Sequence, residues 1–346
     1  MKKLIPTILF VLFMAPPANA LDISAPKVPE FGAKIMPENT ESFPESLWEL
    51  IRKAAVQISP ELKIAANVSV SLICVAVMIS LLHGMVTAAD KTITLAGTTI
   101  MAAIMLTSTN SMFLLADETI QELSNYGKLF YPVMATALAT QGCVSSSASL
   151  YAGTTLLDAL LGNFITGVLL PMVYIFLAAA CAGNALGEEY LKRLRDLIKN
   201  GISWLLKTVL IAFTTYMSVT GVISGTTDAA TLKATKVTIS SVVPVVGGIL
   251  SDASEAVLVS AGLMKNAAGI YGILAIFAVF IAPFLKIGIQ YLLLKATAAI
   301  CSLFGSKEVS ALVDDFSCAL GLLLAMTGVV CLLMLISTVC FMKGVV

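Results

Sequence analysis

Uncharged, mostly apolar stretches run from 64 to 89, 92 to 116, 129 to 157, 159 to 187, 208 to 227, 266 to 285 and 316 to 342, each of 20 residues or more. A hydrocarbon core of about 30 Å is crossed by about 20 helical residues. The stretches are apolar all round rather than alternating, so they predict helices and not barrel strands of roughly ten residues. Residues 21 to 63 read differently, with seven acids, five bases and the prolines Pro26, Pro29, Pro37, Pro44 and Pro60. There Leu47, Trp48, Ile51 and Ala55 recur at helical spacing and predict an amphipathic helix, Glu45 to Ile58, lying on the membrane surface.

Of the 346 residues 58% are apolar and 12% charged, whereas a soluble domain carries about a quarter charged residues. A soluble enzyme is excluded. The 21 basic and 21 acidic residues balance, with no basic run to neutralise a phosphate backbone, which argues against nucleic acid as a partner. At the start, Lys2 and Lys3 precede an apolar stretch from Leu4 to Ala15 and the small-x-small triplet Ala18-Asn19-Ala20, the pattern of a signal peptide over 1–20. An uncleaved anchor is the alternative, although Pro16 and Pro17 shorten the stretch for a span. Orientation follows basic residues near span ends. Lys192, Arg193, Arg195, Lys199 and Lys207 put the loop Gly187 to Gly201 in the cytoplasm; Asp117, Glu118 and Glu122, with only Lys128, put Ala116 to Lys128 outside as a loop.

After Pro60 the chain has four prolines, in two pairs of equal spacing: Pro132 and Pro171, then Pro244 and Pro283, each pair 39 apart and the pairs offset by 112. This spacing predicts a duplication. Each unit has a small-residue segment opened by proline (132–155; 244–266), a long helix with proline in its middle (156–183; 267–294), an amphipathic connector (186–200; 296–315) and a closing span (202–224; 319–341). The opening segments place Gln141, Ser145 to Ser147, or Gly247, Gly248, Ser251, Asp252 and Glu255, inside hydrophobic surroundings that lipid cannot satisfy, which predicts re-entrant hairpins. The expected fold is an all-α polytopic membrane protein of about six transmembrane helices plus two re-entrant hairpins. The divisions are 1–20, an extracytoplasmic segment 21–63, the first two spans within 64–116, and repeat units 129–224 and 241–341.

The candidate transport path or structural hairpin comprises Pro244, Gly247, Gly248, Ser251, Asp252, Glu255, Lys265, Asn266, Pro283 and Lys286. Asp252 and Glu255 share a helix face; they either bind a cation, relay a proton or pair with a base, or simply follow Ser251 as cap in a helix's first turn. Lys286 either pairs with an acid such as Asp252 or Glu255, snorkels, or marks a tight cytoplasmic turn. Asp158 reads as an interfacial cap. Small residues such as Gly153, Gly162, Gly269 and Gly272 predict close helix approach in a bundle or oligomer. The single histidine, His83, reads as interfacial; the seven cysteines lack C-x-x-C spacing and read as free thiols; no phosphate-binding loop occurs. These features predict a non-enzymatic protein without cofactor or metal.

The run Ser241 to Gly272, with Pro244-Val245-Val246-Gly247-Gly248 and Lys265-Asn266-Ala267, resembles the stage III sporulation protein AE family of endospore-forming bacteria. The likeness continues through Ala282-Pro283-Phe284-Leu285-Lys286, Tyr291 to Lys295 and the closing span. That resemblance implies a multispanning subunit of the mother-cell complex in the outer forespore membrane. Its implied partners are stage III sporulation proteins such as AG and AH, and stage II sporulation protein Q from the forespore, in a channel or feeding tube. The resemblance supplies no catalytic residues. The expected function is a channel subunit; the alternative is a scaffold that anchors ring-forming partners. An intramembrane hydrolase lacks its usual paired groups.

Overall fold

The computed structural model describes residues 26–37, 43–85, 90–140, 144–219, 267–304 and 307–343, and these are helical or in short connections, with no strand among the described residues. A short helix α1 (Glu30–Ala33) precedes α2 (Phe43–Met85), α3 (Asp90–Thr140), α4 (Val144–Phe164), α5 (Leu170–Leu186), α6 (Glu189–Val219), α7 (Ala267–Phe304) and α8 (Lys307–Lys343). Taking α4 and α5 as one rod, six helices are long and apolar enough to cross a membrane. They contain the six expected spans over the described residues; residues 220–224 of the expected span 202–224 lie outside these.

The helices outrun those spans because their ends carry charge on one face only. In α3 the stretches 92–116 and 129–140, expected to be separated by an external loop, form one helix of 51 residues, about 76 Å long. Ala116, Ile120, Leu123, Tyr126 and Phe130 recur at helical spacing and are buried, while Glu118, Gln121, Asn125 and Lys128 face outward. The charges therefore mark a helix face, and the loop expectation was wrong. The connector 186–200 likewise divides into a tight turn and the first turns of α6, whereas 296–315 comprises the end of α7 and the start of α8. Gly187 makes the turn before α6, at φ +73°, where its N–H bonds the Gly183 carbonyl at 3.0 Å.

The two mid-helix prolines behave differently. Pro171 opens α5 just after a π-helical turn, Ile165–Leu169, in which the Leu170 N–H reaches back five residues to the Ile165 carbonyl. A proline lacks the N–H that would hold the preceding turn, and the wider turn takes up the slack. Pro283 lies inside α7, which runs unbroken through it. The segment 132–155 does reverse direction, between α3 and α4, but both arms continue into long helices. Residues 244–266 lie outside the described residues.

Helix α8 occupies the middle. In its most apolar 18-residue window 89% of residues are buried inside the protein, against 28–50% for the other five candidate spans. It packs on α7 and α3 most extensively, and on α4, α5 and α6. Leu323, Met326, Leu333 and Phe341 fill the axis. The outer helices bury one stripe each. In α2, Leu50, Ala54, Ile58, Ala65, Leu72, Ala76 and Ile79 face inward, while Val70, Met78 and Leu81 point out where the run is uncharged and lipid can cover them.

The first half of α2 does not lie flat on a membrane. It continues through Pro60 into the first span, and Leu50 and Ala54 pack with Ile35 against Leu274 and Ala278 of α7. Its apolar face is spent on the bundle, which corrects the surface-helix expectation. The strap of residues 26–37 closes over the same place, where Lys53 Nζ donates to the Met36 carbonyl at 3.4 Å. A Cβ on Gly32 would stand 3.0 Å from the Val279 nitrogen and 3.1 Å from Ala278 Cβ. Gly32→Val should therefore lift the strap, an overpacking cost of about 1–3 kcal/mol, read as faster proteolysis within 26–37 while the rest of the chain stays protected.

Candidate functional site

Of the ten residues expected at a path or hairpin, Pro244, Gly247, Gly248, Ser251, Asp252, Glu255, Lys265 and Asn266 lie outside the described residues. Pro283 and Lys286 lie on α7. Because α7 is continuous there, Lys286 marks no turn. It does not snorkel alone either: its Nζ donates to Glu61 Oε1 of α2 at 2.7 Å, across 225 residues of sequence. Among the described residues Glu61 takes the role expected of Asp252 or Glu255. Each charge lies within a turn of a helix-interior proline, Pro60 or Pro283.

The pair stands in a cleft of about 390 Å³ between α2, α3 and α7. Ala65 and Val68 of α2, Ile104, Thr107, Ser108 and Ser111 of α3, and Ile289 and Gln290 of α7 complete the walls. Gln290, only 4% exposed, donates from Nε2 to Ser108 Oγ at 3.1 Å. The charged pair is more open, at 30% and 37% side-chain exposure, so water reaches it and solvent screens it. From the cleft an exposed, largely polar face runs along α3 through Thr107, Asn110, Ser111, Glu118, Gln121, Asn125 and Lys128, interrupted by the exposed Leu114, about 32 Å at helical rise. Tyr174 of α5 supports its upper end, stacking on Phe113 with centroids 4.1 Å apart and donating to Asn110 Oδ1 at 3.4 Å.

Sequence reasoning missed this face. It divided the chain at charges, and the hydroxyl and amide run Thr107-Ser108-Thr109-Asn110-Ser111 sits inside an uncharged stretch. Five consecutive small polar residues in the middle of an expected span were the available signal. Glu61 was missed because it follows Pro60 in a segment assigned to the surface.

Two further polar clusters tie helices together. At the turn between α5 and α6, Arg195 Nη1 and Asn184 Nδ2 both donate to Asp315 Oδ2 of α8, at 2.8 and 2.7 Å. Beside it Lys295 pairs with Asp314, and Lys199 reaches Cys318. At the other end Tyr131 of α3 donates its hydroxyl to Asp158 Oδ2. Asp158 lies well inside α4, so it caps nothing, contrary to expectation. His83 is in the last turn of α2, its Nε2 3.2 Å from Thr94 Oγ1.

Chemically, the cleft offers a carboxylate, an ammonium, an amide and several hydroxyls on apolar walls. The bundle axis is filled by α8, and among the described residues the cleft and the α3 face lie outside that axis.

Comparison with known proteins points to a family. The family model described as stage III sporulation protein AE matches residues 32–344. Stage III sporulation protein AE of Bacillus subtilis (strain 168) is 24% identical over 222 residues, covering 64% of this chain and 56% of that protein. The chain thus spans a little over half the length of the curated relative it matches. No solved structure matches it. With a family model covering most of its length and a helical bundle that fits the resemblance read from Ser241 to Lys295, the chain belongs to the stage III sporulation protein AE family.

Proposed function

We propose that this protein is a non-enzymatic, multispanning subunit of the channel complex between mother cell and forespore, and that it forms or braces a transport path. It resides in the outer forespore membrane, with a cleaved signal over 1–20, beside stage III sporulation proteins AG and AH and stage II sporulation protein Q. The observation that carries the transport reading is the polar face of α3 leading into the Glu61–Lys286 cleft, because hydroxyl, amide and charged groups facing outward at these levels need water or protein beside them. The basic residues Lys91, Lys192, Arg193, Arg195, Lys199, Lys295 and Lys307 gather toward the α2–α3, α5–α6 and α7–α8 junctions, which supports a cytoplasmic placement of that end. The rod of α4 and α5 with α6, and α7 with α8, each pair a proline-bearing helix with the next helix packed on it. That order supports a parallel duplication, with hairpins at 132–155 and 244–266 flanking the path.

The second reading, a scaffold that holds ring-forming partners, is favoured by the apolar filling of the axis by α8. Cysteine accessibility separates the two. In a background lacking native cysteines, Ser111→Cys and Glu118→Cys should react with a membrane-impermeant thiol reagent, Leu323→Cys should not, and modification at 111 should lower spore yield. Reaction at 111 and 118 without any effect on spores would favour the scaffold.

A further inference from the structure

We propose that the cleft between α2, α3 and α7 binds a small zwitterion of the α-amino acid class, whose carboxylate takes the Lys286 ammonium and whose ammonium takes the Glu61 carboxylate. This rests on the reading that the cleft belongs to the path, and it names the solute class that the path selects. Three observations carry it. The cleft holds one acid and one base and is otherwise uncharged, so a net-neutral molecule with both charges satisfies both walls. A lone anion would engage only Lys286 and a lone cation only Glu61, whereas a zwitterion makes both charge-assisted contacts at once.

The pair itself is cheap to open. Both side chains are about one-third exposed, and an ion pair in that environment contributes little, so a ligand making two charge-assisted contacts in place of one gains on exchange. Pro60 and Pro283 lie within a turn of the two charges, where the interrupted helical hydrogen bonding lets the backbone yield. The third observation is shape. About 390 Å³ lies in the range of small-molecule sites, and the Ala65, Val68 and Ile104 walls are apolar and carry no further charge. Ser108 and Gln290, already bonded to each other, form the polar floor beneath the charges. These walls select for zwitterionic character and only loosely for side chain.

The experiment uses the full-length protein in nanodiscs, titrated with glycine, L-alanine and L-leucine, and with acetate and methylammonium as the two half-ligands. At least one zwitterion should bind about tenfold or more tightly than either half-ligand, read as a saturable shift in unfolding temperature. Glu61→Gln and Lys286→Met should each lose that preference, and the exchanged pair Glu61→Lys with Lys286→Glu should regain it. Equal binding of zwitterions and half-ligands, no binding of any of them, or an unchanged preference in both single variants would overturn the proposal. Spore yield of the single variants distinguishes the two levels of the reading. Lost spores without zwitterion binding sink the ligand and spare the path; zwitterion binding with normal spores in both variants spares the ligand and sinks the path.

Discussion

Arg195→Ala should be among the most damaging single changes in the described bundle. It leaves Asp315 buried among α5, α6 and α8 with only Asn184 still donating to it, and its side chain is only 11% exposed. Breaking one side of such a pair costs about 3–5 kcal/mol, most of it the uncompensated charge. The expected result is a much lower steady-state level in the membrane and a lower unfolding temperature in detergent. Asp315→Asn should cost less, because it removes the stranded charge together with its partner's role. The double variant Arg195→Met with Asp315→Leu should recover much of the loss, since an apolar pair of similar volume serves a buried site at least as well. Equal damage by all three variants would mean that the ion pair is needed for something other than packing.

Gly272→Val is expected to follow closely. A Cβ at 272 would collide with the Cζ edge of the Phe130 ring, which is itself fully buried on α3 and stacks on Tyr126 with ring centroids 5.5 Å apart. The collision involves a rigid ring, so α7 must move away from α3. Overpacking of that kind costs about 1–3 kcal/mol and occasionally more. Phe130→Ala alone should cost about 3–5 kcal/mol by opening a cavity. Combined, the two changes should be less harmful than their sum, because the valine enters the space the ring leaves. Unfolding temperatures of the four proteins in one detergent give the coupling directly; strict additivity would place Gly272 and Phe130 out of contact.

The spans were legible because lipid imposes a simple rule, and uncharged runs such as 92–116 and 316–342 obey it. The lengths of the helices were not, because the same rule treats every charge as an end. Asp117 and Glu118 follow the apolar run 92–116 without interrupting α3, since a helix can present carboxylates on one side and Ile120 and Leu123 on the other. Lys286 was recognisable as an oddity in an apolar stretch, yet its partner was not, since nothing local connects it to a glutamate 225 positions earlier. Asp158 failed in the opposite direction: its place next to a long apolar run suggested a helix end, and only the packing of α3 against α4 reveals the tyrosine that holds it. The hairpin residues from Pro244 to Asn266 fall outside the described part of the chain, so α7 and α8 carry what can be said of the second unit.

The enclosed position of α8 has a consequence for biogenesis. Among the described helices it comes last in chain order, yet its place is the innermost, so those before it must wait as an open shell with apolar inner walls until it arrives. Membrane insertases and chaperones would have to keep that vacancy from collapsing or filling with lipid. Quality-control proteases would find their best opportunity during the same interval, before the keystone is set.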